Sequence, residues 1–130
     1  MPIFKLNKLV RDKLRDEYAR IGQLAVYKDL TPDEYKLKLL EKIIEETREI
    51  KLDGPIDEIT NEISDLRQVI DDLMAAYSIS EEKLKFTMQL RKNLKGGFSA
   101  GVFVDTLELK DNDPWIDYYR ERPDLFPEES

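Results

Sequence analysis

Two stretches of helically spaced apolar residues, separated only by Asp53-Gly54-Pro55, constrain this chain more than any other feature. Leu39, Leu40, Ile43, Ile44, Thr47 and Ile50 form one stripe; Ile59, Ile63, Leu66, Ile70, Leu73, Met74 and Tyr77 form the other. Apolar residues recurring every three to four positions mark one face of a helix. A break this short between two such helices folds them back as an antiparallel hairpin. The first of the pair has an explicit start. Thr31 is a good N-cap, Pro32 suits the first helical position and Glu34 completes a capping box. The second spans about residues 56 to 77.

The flanking segments also read as helical. A first helix is expected over residues 11 to 21, stopped by Gly22, which suits the left-handed position after a helix end. Leu24 to Tyr27 alternates only briefly, as a connector or short edge strand would. Ser80 caps a fourth helix, with Ile79 and Leu84 placed as a hydrophobic staple and Leu84, Met88 and Leu94 expected inside. It runs to Gly96-Gly97, with Arg91, Lys92 and Lys95 near the negative end of its dipole. Beyond it, residues 98 to 109 contain an apolar alternation that fits a short strand. The tail from Lys110 carries Trp115, Tyr118, Tyr119 and Phe126, and orders only if these aromatics pack on the helices or on a second subunit. The expected class is all-α: one domain over 1–130, a helical bundle with an antiparallel hairpin and a short irregular or β-like C-terminal extension from about residue 105.

Composition removes whole classes of chemistry. With no histidine and no cysteine, there is no Ser-His-Asp or Cys-His catalysis, no two-His zinc helix, no thiolate nucleophile and no disulfide framework. Hydrolysis must then run on carboxylates, lysine, arginine, tyrosine or hydroxyls, and a site of carboxylate oxygens prefers hard cations such as Mg²⁺ or Mn²⁺. A formal charge of −7 argues against a nucleic-acid-binding domain, whose footprint is a basic face. No apolar run reaches the roughly 18 residues a membrane span needs. The opening Met1-Pro2-Ile3-Phe4-Lys5 lacks the apolar stretch of a signal peptide, so the expected location is cytoplasmic.

The acids of the hairpin are placed by helical arithmetic. Around the first helix, Glu46 and Glu49 flank the apolar stripe while Glu45 points further out. Around the second, taking Ile63 as zero, the apolar arc runs from about 220° through 0° to 20°, and Glu62 falls at about 260°, inside it. Asp65 lies at the border. A carboxylate aimed at a core needs a cation partner or a raised pKa. Glu46 lies eight residues before Gly54 and Glu62 eight after it, so both sit roughly 12 Å from the turn. Glu46, Glu49, Glu62 and Asp65 can thus surround one point, where a divalent cation would offset their repulsion. Arg48 and Arg67 offer an alternative, as partners in a structural ion-pair network.

These residues resemble a known family. Glu45-Glu46 with Glu49, followed by Glu62 and Asp65, is similar to the signature of the all-α nucleotide pyrophosphohydrolases: MazG, dimeric dUTPase and phosphoribosyl-ATP pyrophosphohydrolase relatives. Residues 7–14, Asn-Lys-Leu-Val-Arg-Asp-Lys-Leu, look like the opening of the phosphoribosyl-ATP pyrophosphohydrolase-like branch. Glu34-Tyr35 leading into residues 40–46 and Lys95-Gly96-Gly97-Phe98 with Gly101 match that branch too. Together the blocks cover about residues 5 to 104.

The resemblance implies a Mg²⁺-dependent enzyme (Mn²⁺ as an alternative) that cuts the α–β phosphate bond of a nucleotide to give a monophosphate and pyrophosphate. By position, Glu46, Glu49, Glu62 and Asp65 match the metal ligands. Glu45 matches the first acid of the motif, and Glu45 or Glu49 is the expected base for the attacking water. Positive charge for the phosphates is expected from Lys8, Arg11 and Lys13 in the opening block and from Lys92 and Lys95 beside the double glycine. Two other functions stand beside this one. Phosphoribosyl-ATP hydrolysis in histidine synthesis is disfavoured by the divergent opening block; a non-enzymatic metal- or nucleotide-binding helical module would retain the acids. Ile44 and Met74, at the edges of broad stripes, and the aromatic tail add apolar surface that a monomer struggles to cover, so a homodimer or higher homo-oligomer is expected, as in relatives of this kind.

Overall fold

The structure, a computed structural model, describes residues 1–129. Its elements are α1 (Leu14–Arg20), α2 (Pro32–Glu49), α3 (Ile56–Ala76), α4 (Glu81–Lys95) and α5 (Ile116–Arg120), with no strand among the described residues. The chain is all-α, and it divides into two compact units, Met1–Leu90 and Arg91–Ser130.

In the first unit the hairpin forms from the signals that announce it. The Thr31 side chain accepts a hydrogen bond from the Glu34 N–H at 3.2 Å, and the Glu34 carboxylate accepts one from the Thr31 N–H at 3.2 Å. This closed capping box satisfies two of the donors that a helix start leaves orphaned. The helix ends at Ile50, whose extended backbone breaks the α2 ladder, and Pro55 holds the extended conformation that launches α3. Helices α2 and α3 pack against one another. At the open end of the hairpin, the Lys36 ammonium sits 4.6 Å from the centre of the Tyr77 ring.

Three helix ends close on left-handed residues. At the end of α1, Gly22 takes φ +79° and Gln23 donates back to the Tyr18 carbonyl at 2.8 Å. The end of α3 uses the same 6→1 closure, from Ile79 N–H to Met74 C=O at 2.9 Å, with Ser78 rather than glycine at φ 56°. Gly96, at φ +80°, ends α4 as its position suggests. The first helix begins three residues later than expected. Residues 11–13 form a turn closed by Leu14 N–H to Arg11 C=O at 3.0 Å, and Arg11 is committed to the hairpin instead.

Burial departs most from the sequence reading. Among the described residues, only Leu39 on α2 and Val69 on α3 are buried apolar residues, at 4% and 9% exposure. Ile44, Ile63 and Ile70 remain 53%, 50% and 39% exposed. On α4, Leu84 is half-buried, but Met88 and Leu94, expected inside, are exposed. Helical periodicity identifies which face is apolar; it carries no information about whether the same chain supplies the cover.

In the second unit, the alternating segment 98–109 is irregular, not a strand, and Phe98, Val102 and Phe103 are exposed. The aromatics of the tail pack on each other. Tyr118 and Tyr119 meet edge to face at 5.3 Å between ring centres, as do Tyr119 and Phe126 at 5.0 Å and Trp115 and Tyr118 at 5.3 Å. Arg122 lies 4.1 Å over the Tyr118 ring, and Arg120 grips Glu128 through two guanidinium nitrogens at 2.8 and 3.2 Å. Such edge-to-face pairs add about 0.5–1.5 kcal/mol each beyond area burial, enough to order a short tail locally.

Leu39→Ala should lower the stability of the chain by about 2–5 kcal/mol, the usual cost of emptying a buried leucine site. Leu52→Ala, at a fully exposed residue of the hairpin turn, should change it by less than about 0.5 kcal/mol. Urea unfolding followed by circular dichroism checks both.

Candidate metal centre

Glu46 reaches the site from α2, and Glu62 and Asp65 reach it from α3, all three half-buried. Each offers a carboxylate oxygen, and the three oxygens lie within 4.8 Å of one another. Matching height on the two arms of the hairpin is what brings them together, as the spacing from Gly54 predicts. Glu49, the fourth expected ligand, is exposed and outside this close group, although its charge acts on Glu62. It lines a shallow cleft of about 170 Å³ beside the hairpin turn, together with Lys51, Gly54, Glu58, Ile59, Asn61 and Glu62.

Electrostatics separates the acids into two kinds. Partial burial, then the charges of Asp65, Glu49, Glu46 and Glu58, push the Glu62 carboxyl above its ordinary value. No cation pairs with it among the described residues. Of the two outcomes open to an inward-facing carboxylate, a cation partner or a raised pKa, Glu62 has the raised pKa. Burial also pushes Glu45 up, but hydrogen bonds and charge from Lys8 and Lys42 outweigh it and hold Glu45 below the usual value.

The opening segment supplies the cations that answer the cluster. Lys8 Nζ lies 2.9 Å from Glu45 Oε1, and an Arg11 guanidinium nitrogen lies 2.6 Å from Asp65 Oδ1. The hydrogen bond and charge of Glu45, with Glu46 and Glu49 behind it, hold the Lys8 ammonium above its ordinary pKa despite some burial. Glu45 lies further out than Glu46, as its helical angle suggests, with its side chain 31% exposed against 14%, and Lys8 of the opening segment meets it there. Lys13 stands at the N-cap of α1 and makes no ion pair among the described residues. Lys92 and Lys95 fall in the last turn of α4, in the second unit.

Lys42 is the residue the sequence reading missed. Its Nζ lies 3.0 Å from Glu45 Oε2 and 3.5 Å from Glu46 Oε1, and its side chain is only 17% exposed. The signal was present: a lysine three and four residues before two glutamates shares their helix face. The cations that pair with Glu45, Glu46 and Asp65 are Lys8, Arg11 and Lys42, not Arg48 or Arg67, among the described residues.

Two helices thus hold three carboxylate oxygens around one point, an arrangement of hard donors suited to a Mg²⁺-sized cation. No family model, no curated protein and no solved structure matches this chain.

Glu62 retains its proton to higher pH in the folded chain than in the unfolded one. Its contribution to stability is complete below the ordinary carboxyl value of 4.5 and is lost as pH rises through the raised folded value. In chelator at neutral pH, Glu62→Gln should melt at a higher temperature than the wild type. The difference should close below about pH 4, where the wild-type carboxyl is protonated in both states. Calorimetric scans of the two proteins across pH check this.

Proposed function

We propose that this chain is a divalent-metal-dependent nucleotide pyrophosphohydrolase, with Mg²⁺ the first candidate and Mn²⁺ the second. The observation that carries the reading is the approach of the Glu46, Glu62 and Asp65 oxygens to within 4.8 Å across the hairpin. The raised pKa of Glu62 adds to it, since mutual repulsion among acids is what a bound cation relieves. The resemblance of the acidic motif and the opening block to the all-α nucleotide pyrophosphohydrolases supplies the substrate class. When bound, the cation neutralises phosphate charge and lowers the pKa of water.

In this reading Glu46, Glu62 and Asp65 hold the cation, with Glu49 completing the set or serving as base. The choice of base narrows. Glu45 is held in its charged form by two ammonium groups, which makes it a poor proton acceptor. Glu49 carries no ion pair among the described residues and borders the cleft beside Glu62. We assign the proton of the attacking water to Glu49, and to Glu45 the anchoring of Lys8 and Lys42. Lys8 and Arg11 are the phosphate-side cations. Lys13, Lys92 and Lys95 are not drawn on.

The reading also includes a second copy of the chain. A cleft of about 170 Å³ falls short of the roughly 300–1,000 Å³ typical of small-molecule sites, so the hairpin cleft alone does not enclose a base and sugar. The exposed Ile44, Ile63 and Ile70 give the same hairpin apolar surface to bury. A homodimer is the arrangement proposed, and light scattering at micromolar concentration should return twice the chain mass.

Incubated with a panel of nucleoside triphosphates and Mg²⁺, the protein should release pyrophosphate and monophosphate, and chelator should abolish the release. Orthophosphate without pyrophosphate would overturn the assignment; metal or nucleotide binding with no turnover would favour the non-enzymatic module. Glu49→Gln should cost about 10²–10⁴ in kcat as loss of a general base does, with Glu45→Gln costing less. A larger loss in Glu45→Gln would reverse the two roles.

A further inference from the structure

The opening segment joins the hairpin at both arms. Asn7 takes a left-handed φ of 49°, a conformation asparagine tolerates better than most residues. The segment after it places Lys8 on Glu45 of α2 and Arg11 on Asp65 of α3. Both contacts fall on the acidic motif: Glu45 is the neighbour of Glu46, and Asp65 is itself one of the three grouped acids. The side chains of Lys8 and Arg11 are 45% and 60% exposed, so neither is locked in by packing. What holds them is charge.

We propose that this segment is an exchangeable counter-ion strap, in which a divalent cation entering at Glu46, Glu62 and Asp65 displaces Arg11 from Asp65 and frees its guanidinium to bind a phosphate group. The inference rests on reading the hairpin as a metal site. A cation drawing on the Asp65 carboxylate takes the charge that Arg11 now neutralises, and it repels a guanidinium held that close. An exposed arginine–carboxylate pair is worth little by itself, so it is readily exchanged. The planar fork of the freed guanidinium matches phosphate as well as it matches carboxylate, so one residue serves both states. Lys8 remains on Glu45, outside the group of three, and keeps the strap beside the site. Order of binding follows: metal first, phosphate second.

The test uses Mn²⁺ alone as the first probe and inorganic pyrophosphate on the Mg²⁺-saturated protein as the second. Arg11→Ala removes the competitor, so it should bind Mn²⁺ about fivefold tighter than wild type, the scale of an exposed ion pair. The same variant should bind pyrophosphate about tenfold more weakly, having lost a charge-assisted partner. In the wild-type protein, amide exchange at residues 9–12 should quicken when Mg²⁺ is added. Unchanged or weaker Mn²⁺ binding in Arg11→Ala overturns the exchange and makes Arg11 a residue that orients Asp65. If Mn²⁺ binding is lost in Glu62→Gln but unaltered in Arg11→Ala, the metal site stands and the strap proposal falls. If the wild type binds no Mn²⁺ at all, both fall.

Discussion

Three carboxylates within 4.8 Å of one another repel, and the hairpin that carries them is also the best-packed part of the chain. Everything around the cluster answers that repulsion. Lys42 bridges Glu45 and Glu46 from the same helix, while Lys8 and Arg11 arrive from the opening segment to cover Glu45 and Asp65. Glu62 gets no such partner among the described residues, and its carboxyl pays in a raised pKa. Under the proposed function, a cation bound at Glu46, Glu62 and Asp65 would relieve the repulsion that these partners leave.

The hairpin was legible because its signals are local. The capping box at Thr31, the break at residues 53–55 and the two apolar periods each depend on residues a few positions apart, and each appears as read. So does the shared height of Glu46 and Glu62, which needs only the rise of a helix. Non-local contacts are what the sequence does not carry. Glu45 lies outward as a helical wheel places it, but a wheel does not show that Lys8, 37 residues earlier, meets it there. In the tail, four rings within a dozen residues cover one another in part. Lys42 is legible too, since a lysine one turn before Glu45 and Glu46 shares their face.

Burial separates what a sequence can say from what it cannot. The stripes on α2 and α3 are apolar over broad arcs, but Leu39 and Val69 alone reach burial, because a pair of helices covers only the line along which they meet. The residues to either side, Ile44 and Ile70 among them, remain open. In the homodimer proposed above, a second α2–α3 hairpin would cover them with a surface of the same pattern.

Such pairing bears on the chemistry. The cleft beside Glu49 and Glu62 opens at the turn end of the hairpin, and its walls are charged and polar except for Ile59 and the backbone at Gly54. A polar cleft of that kind suits phosphates and metal, which demand charge and directed oxygens. It does not suit a nucleobase, which takes an apolar or aromatic wall for stacking. In this reading the division of labour is between subunits: one hairpin supplies metal ligands, base and strap, and the neighbouring copy supplies the wall that distinguishes one base from another. Substitutions among Glu46, Glu62 and Asp65 would then act within a chain. Substitutions on the exposed apolar stripe would act across the pair, altering substrate choice and assembly together, because the same surface serves both.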